Sequence, residues 1–407
     1  MATRIYLDNN ATTPVDPAVL EALLPFLKDA FGNASSSYAL GQDAKRAVTN
    51  ARQQVADMLE ADSANEILFM SGGTETINYT LKGMAFLERA RSQRTHIITT
   101  CVEHVAVLET CKYLTQTHGF HVTYVPVDSH GRVRVEEVVA AVTPATFLVS
   151  IMHANNEVGT LQPIAEVVQA VTKAQTERDL PRIWFHTDAS QSIGKVPVSV
   201  RTMGVDFLTI AGHKLYAPKG IGALYMRRDV PALTPLVHGA SHEMGKRAGT
   251  ENVAFDVALG HACALIHSHL SDYASHMQRT KQLLLQEIQS VCADVKVTCR
   301  VNGPVQPELV LPNTLSIGFK NISAVKLLAY LEDQGICASA GSACHSHSCD
   351  DDAQEVKISY VLAAMSVPNE FALGTLRLSV GRTTSEQDVH AAVQAIGAGL
   401  VAQQTIH

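Results

Sequence analysis

Two stretches of this chain carry side chains dense enough in chemistry to ask what they do. The first, "CASAGSACHSHSCDDD", runs from Cys337 to Asp352 and packs two cysteines, two histidines and three aspartates between Cys344 and Asp352. Those residue types suit a soft metal, half of a disulfide or a reactive thiol on a loop of small residues, and the cluster alone leaves all three open. The second constellation is spread out. "HTDASQ" puts Asp188 at the end of an apolar run, and "AGHKLYAPKGIGALY" puts Lys214 after His213 in a glycine-rich segment. Asp188 has three readings, as a helix cap, a metal ligand or a partner for a ring N–H⁺. Lys214, taken alone, reads as a solvated loop lysine. Together they fit a chemistry in which an amine holds a carbonyl-bearing cofactor and an acid faces its ring nitrogen.

A third stretch, "SGGTETIN" (71–78), places Gly72, Gly73 and Thr74 where a strand gives way to a helix. Free N–H groups and the helix dipole favour a phosphate there. A plain Gly-Gly turn with Thr74 as N-cap is the competing reading. A phosphate, a lysine and an acid are what a pyridoxal phosphate enzyme requires.

These motifs need elements to hold them. Strand-like apolar runs fall at 66–70, 96–100, 121–127, 146–152, 183–188, 206–210 and 222–227. They are short and nearly continuously apolar, as strands covered on both faces are. Helical spacing between them, at 45–60, 74–91, 105–117 and 163–177, predicts an α/β doubly wound, mostly parallel sheet. Polar loops, "SGGTET", "CVEH", "HANNE" and "DASQ", follow four of the strands, where ligands of such sheets bind. After about residue 265 the pattern changes. A long helical stretch, 252–292, leads to short strands, a helix at 323–334 and a last helix at 385–403, a smaller α+β domain. The expected division is a large domain over 16–264 and a small domain over 1–15 and 265–407. The side on which "IYLDNNATTP" sits is left open.

Bulk properties narrow the function. The 407 residues carry a formal charge of −7 with both signs interspersed, and no basic block points to nucleic acid. No apolar run approaches the roughly 18–20 residues of a membrane helix, and "MATRIYLDNN" has no signal core. A cytoplasmic location is expected, with an organellar matrix as the alternative for a chain trimmed of a targeting segment. Eight cysteines without a paired C-x-x-C spacing are not a disulfide scaffold or a structural zinc site.

Ten motifs in order then resemble one family, the cysteine desulfurases and selenocysteine lyases of the class V aminotransferase type. Among them are "YLDNNATTP" (6–14), "FMSGGTETIN" (69–78), "CVEH" (101–104), "MHANNEVGT" (152–160), "HTDASQSIGK" (186–195), "RAGTEN" (247–252), "GSAC" (341–344) and "LRLSVGRTT" (376–384). The resemblance implies a fold-type I pyridoxal phosphate transferase. It implies that Lys214 carries pyridoxal 5′-phosphate as a Schiff base and that Asp188 pairs with the pyridinium nitrogen. His104 would stack on the ring and move protons, and Asn155 and Gln191 would bond near the ring hydroxyl. Gly73, Thr74 and His213 would hold the phosphate, and Thr250 would reach the phosphate of a neighbouring subunit in a homodimer. Arg377, helped by Asn155, would grip the substrate carboxylate, with Arg382 as runner-up. Cys344 would be the nucleophile that takes sulfur as a persulfide from L-cysteine, leaving L-alanine, and passes it to an acceptor protein of iron–sulfur or thiolation pathways. No metal is expected.

The sequence departs from the family pattern at Ala211, where a phosphate-binding serine is common, at Ala34, and at "HGASHE" (238–243), where His242 replaces a glutamine. Cysteine desulfurase is the first expectation and selenocysteine lyase the second. A sulfur- or metal-carrying scaffold without turnover and a true aminotransferase are the readings from other classes. Cys337 is expected in a buried strand. Cys349 remains open between a resolving thiol, an incidental metal ligand with His345 and His347, and an ordinary loop thiol.

Overall fold

Short apolar runs become the strands of one large sheet. In the computed structural model, which describes residues 4–341 and 358–404, twelve strands are formed. They are β1 (Ile5–Tyr6), β2 (Ile67–Met70), β3 (His96–Thr100), β4 (His121–Val125), β5 (Thr146–Ser150), β6 (Trp184–Asp188), β7 (Phe207–Ala211), β8 (Gly222–Met226), β9 (Cys299–Asn302), β10 (Thr314–Phe319), β11 (Ile336–Cys337) and β12 (Thr375–Ser379). Seven make a sheet in the order β2-β8-β7-β6-β5-β3-β4. Only β8 runs against its neighbours. The six strands preceding the edge strand β4 in that order are buried throughout, which is why their sequences are apolar without alternation. β4, at the edge, is exposed or half-buried at four of five positions.

Helices cover both faces and leave two apolar clusters. One holds Val55, Ile98, Val149, Leu208 and Ile210 with the helices Ala39–Leu59 and Ile164–Glu177. The other holds Leu68, Met84, Val107, Phe147 and Leu224 with the helices Gly73–Ser92 and Val105–His118. The sheet is therefore the middle of a three-layer sandwich.

A third cluster, around Ile317, Leu327, Leu378 and Ile396, belongs to the antiparallel sheet β12-β10-β9 and the helices Ala324–Asp333 and Glu386–Gln404. The helix Val253–Asp294 joins the two halves. Its Leu259 and Cys263 pack in the first cluster, and its Leu284 and Ile288 in the third. By length and composition this helix is apolar enough to cross a membrane, a feature the run-by-run reading of the sequence passed over. Half of its most apolar window is buried inside the protein, as a core helix requires.

The N-terminal segment takes both sides. β1 pairs in parallel with β11, and Asp8 bridges to Ser379, so its start joins the half built on β12-β10-β9. Thr13 then donates its N–H to the His213 carbonyl at 2.9 Å, so its end lies against the loop after β7 of the seven-stranded sheet. Cys337 closes β11, half-buried rather than fully buried.

Candidate active site

All the parallel strands end on one rim, and the loops that follow them bring the predicted residues together. Gly73, Thr74, His104, Asp188, Gln191, His213, Lys214 and Arg377 line a single cavity of about 210 Å³. Its floor is the sheet, and Arg377 reaches it from β12 of the small domain.

Each side chain has a local reason for its place. Gly72 sits at φ +150°, a conformation that side chains rarely allow, and turns the chain from β2 into the helix Gly73–Ser92. At Gly73 an added Cβ would meet Ala211 Cβ at 3.3 Å and Ser190 Oγ at 3.4 Å, so the missing side chain keeps a cradle open at the helix N-terminus. His104 is the N-cap of the helix Val105–His118, and its Nδ1 accepts the Ala106 N–H at 3.1 Å. In the neutral ring the proton is then on Nε2. Asp188 ends β6 and accepts the Ser190 N–H at 2.9 Å. Lys214 ends a 3₁₀ turn, Gly212–Lys214, directly after β7. Its Nζ donates to the carbonyls of Asn10 at 2.5 Å and Ala11 at 2.7 Å.

Arg377 is 2% exposed, and two groups fix its guanidinium. Nη2 donates to Asp8 Oδ1 at 2.7 Å and Nη1 to the Asn156 carbonyl at 3.1 Å, while Nε has no hydrogen-bond partner. Asp8 also accepts from Ser339 Oγ at 2.7 Å, and Ser339 and Arg377 pair through their backbones. Arg382 does not line this cavity. It lies between the rings of Tyr216 and Tyr273, 3.7 Å from Asp16.

The surroundings set the charge states. Burial, with the charge of Lys214 next, brings His213 down to about 4, so it meets a ligand as a neutral ring. Burial pushes Glu103, wholly enclosed beside His104, up to about 8. Its carboxyl accepts from Thr100 Oγ1 at 2.7 Å and the Met152 N–H at 3.0 Å, tying the His104 loop to the loop after β5.

Two predicted residues stand apart. The Asn155 side chain faces protein: Nδ2 donates to the Val102 carbonyl at 3.1 Å, and Oδ1 accepts the N–H groups of Glu157 and Val158. Asn156, next to it, lines the cavity instead. Thr250 is exposed and outside the cavity. His242, the departure from the family turn, accepts the Gly249 N–H at 3.2 Å and so braces the loop that carries Thr250. Cys344 and Cys349, with His345 and His347, lie outside the described residues. Sequence reasoning missed Asp8, Asn156, Glu103 and Ser190. The signal for Asp8 was present, since a buried arginine demands a carboxylate and "YLDNN" supplies one.

The donors suit a planar ring with a phosphate tail. The open cradle at Gly73 and Thr74 would take the phosphate, Lys214 the carbonyl carbon and Asp188 the ring nitrogen. Ser190 Oγ, beside Ala211, supplies a hydroxyl on the wall where that position lacks one. Among the described residues, no group of three or more metal-ligating side chains is found.

Comparisons with known proteins place the whole chain in a family. The family model "Aminotransferase class-V" matches residues 5–392. A cysteine desulfurase IscS from Methanosarcina thermophila is 41% identical over 392 residues, 96% of this chain and 91% of that protein. A cysteine desulfurase from Nostoc sp. is 44% identical over 390 residues, with the same coverage. Among solved structures, a NifS-like protein superposes with a TM-score of 0.87 at 38% identity, covering 98% of this chain and 99% of its own. SspA in complex with cysteine gives 0.75 at 33% identity over 94% of this chain and 100% of its own. The observed fold is thus the fold-type I architecture expected.

Proposed function

The chain belongs to the class-V aminotransferase family, and from that premise we propose that it is a cysteine desulfurase working with pyridoxal 5′-phosphate on L-cysteine. One observation carries the reading: a lysine, an acid, a histidine and an arginine from four separate segments converge on one cavity. Its relatives at 41–44% identity are cysteine desulfurases along nearly their whole length, which supports the same reaction here.

When bound, the cofactor supplies an electron sink for the pair left at the substrate Cα. Lys214 would hold it covalently, Asp188 would keep its ring nitrogen protonated, and Gly73, Thr74 and His213 would bind its phosphate. Gln191 would bond near the ring hydroxyl. Asn155 acts in this scheme by bracing the loop that carries Asn156. Arg377 binds the substrate carboxylate through Nε and the N–H hydrogens left free by Asp8 and Asn156. The Lys214 amine takes the Cα proton. His104 Nε2, the protonated edge of its ring, moves a proton at the substrate.

The Cys344 thiolate attacks the substrate sulfur. An S–S bond forms, the substrate C–S bond breaks, and a proton on the former Cβ completes L-alanine. The enzyme keeps one sulfur as a persulfide, so atoms and electrons balance without an added oxidant. Cys344 follows Ser339, the backbone partner of Arg377, by five positions in the sequence. An acceptor protein would take the sulfur, and Thr250 acting on a neighbour's phosphate makes the enzyme a homodimer. The six described cysteines are all free thiols, which supports a reducing cytoplasmic setting. We divide the chain at 16–264 and at 1–15 with 265–407, a division supported by separate cores and modified by Val253–Asp294, which serves both.

The test compares alanine and released sulfur from L-cysteine with alanine and selenium from L-selenocysteine, for wild type and Cys344→Ser. Loss of the L-cysteine reaction in the serine variant is expected. Reaction of selenocysteine alone, at full rate in Cys344→Ser, would make the chain a selenocysteine lyase.

A further inference from the structure

Lys195 is a buried lysine with an unusual set of partners. It is 5% exposed, and among the described residues no carboxylate forms an ion pair with it. Both of its hydrogen bonds go to one residue: Nζ donates to the Gln191 carbonyl at 2.8 Å and to Gln191 Oε1 at 3.2 Å. Burying an amine without a counter-charge costs free energy that an apolar side chain of the same shape would not. Burial, with the charges of Lys214, Arg382 and Arg377, brings this lysine down to about 7, and even neutral it remains a donor. The turn after β6 places Gln191 and Lys195 four residues apart, so the contact is built into the local chain.

The other end of the Gln191 amide is also held. Nε2 donates to the Asn10 carbonyl at 3.0 Å, the same oxygen that accepts from Lys214 Nζ. Oε1 is therefore turned toward Lys195, and the second N–H of Nε2 is the polar group left to face the cavity that Gln191 lines. A carboxamide without the lysine would have no donor for Oε1 and could flip.

We propose that Lys195 is a positioning residue: it locks the Gln191 carboxamide so that the site presents a donor, and it thereby selects the ionised ring oxygen of the cofactor over its protonated form. The inference rests on the reading that Gln191 meets that oxygen in the holoenzyme.

The experiment is a spectrophotometric pH titration of the coloured holoenzyme for wild type, Lys195→Met, Gln191→Leu and the double variant, with cofactor affinity measured by fluorescence quenching of the apoprotein. Removing a hydrogen bond to a charged oxygen should raise the midpoint by about one pH unit, a tenfold change in proton affinity. Each single variant should show that shift, and the double variant no more than either. Lys195→Gln, uncharged but still a donor, should keep the wild-type midpoint. Shifts that add in the double variant, or a Lys195→Gln variant that behaves like Lys195→Met, would mean that Lys195 acts through its charge and overturn the inference. Should Lys195→Met fail to fold, Lys195→Leu takes its place beside Gln191→Leu and their double variant. A wild type that takes up no visible chromophore overturns the functional reading together with this inference. A coloured wild type with additive shifts overturns the inference alone.

Discussion

The two walls of the cavity are built differently. On the sheet wall, Asp188 ends a strand, Lys214 lies three residues past one and His104 four. His104 and Asp188 are held by their own neighbourhoods, through the Ala106 N–H and the Ser190 N–H, while the Lys214 amine rests on the Asn10 and Ala11 carbonyls. The opposite wall is assembled from distant pieces. Arg377 sits inside β12, and the carboxylate that fixes it, Asp8, is 369 residues away in the sequence. The sheet sets the backbone positions of the first wall; the carboxylate clamp of the second forms only when the N-terminal segment has docked beside β12.

That contrast predicts that damage to the sheet wall destroys chemistry, while damage to the far wall weakens substrate binding. The largest effect should be that of Lys214→Ala. Without its amine, alanine formation should fall by roughly a thousandfold or more, with loss of covalently held cofactor colour. Activity within tenfold of wild type would remove Lys214 from its assigned role. Arg377→Lys should act mainly on KM for cysteine, because an ammonium cannot replace a fork held at two corners, and kcat/KM should fall by roughly 10–100-fold. Asp8→Asn keeps the arginine but loosens it, so a loss of about tenfold is expected, again in KM. Equal losses in kcat and kcat/KM for Asp8→Asn would show that the far wall takes part in chemistry and blur the distinction between the walls.

The same contrast explains what could be read from the sequence. The sheet wall was legible because each functional residue is a polar letter after an apolar run, and strand ends of a parallel sheet share one rim. Seven strands and the main helices fell where the hydrophobic pattern put them, with ends differing by a few residues. In the far wall Arg377 was legible by family resemblance and Asp8 was missed, since no local pattern links the two across 369 residues. Asn155 and Asn156 illustrate the limit most sharply. The two are adjacent and chemically identical, and which one faces the cavity depends on a turn in which Asn155 accepts two backbone N–H groups. Glu103 was invisible for another reason: an acid in a loop motif reads as solvated, and only the packed structure shows it enclosed.

Glu103 gives the smallest and most discriminating effects, because it stiffens the sheet wall without touching the cavity. Burial pushes its carboxyl up from 4.5 to about 8, so at pH 7 it is largely uncharged. Glu103→Gln should then cost little, under about 1 kcal/mol, whereas Glu103→Ala leaves the Met152 N–H without its partner and should cost about 1–3 kcal/mol by denaturant unfolding. The pH dependence separates this acid from the buried histidines by the sign of its slope. A raised acid contributes stability that is fully present below 4.5 and is lost as pH rises through about 8, so Glu103→Gln should flatten the decline between 4.5 and 8. Burial has the opposite effect on His153 and His186, which are brought down from 6.5 to about 4. Their contribution is present above 6.5 and is lost as pH falls through 4, because the buried rings must then take protons. Across pH 4 to 9 the histidines should lower the melting temperature as pH falls from 6.5 to 4, and Glu103→Gln should remove only the separate loss that develops as pH rises from 4.5 to 8. A profile left unchanged between pH 4.5 and 8 in Glu103→Gln would mean that the Glu103 carboxyl is ionised at neutral pH, and that the sheet wall holds a buried charge there rather than a neutral hydrogen-bonded acid.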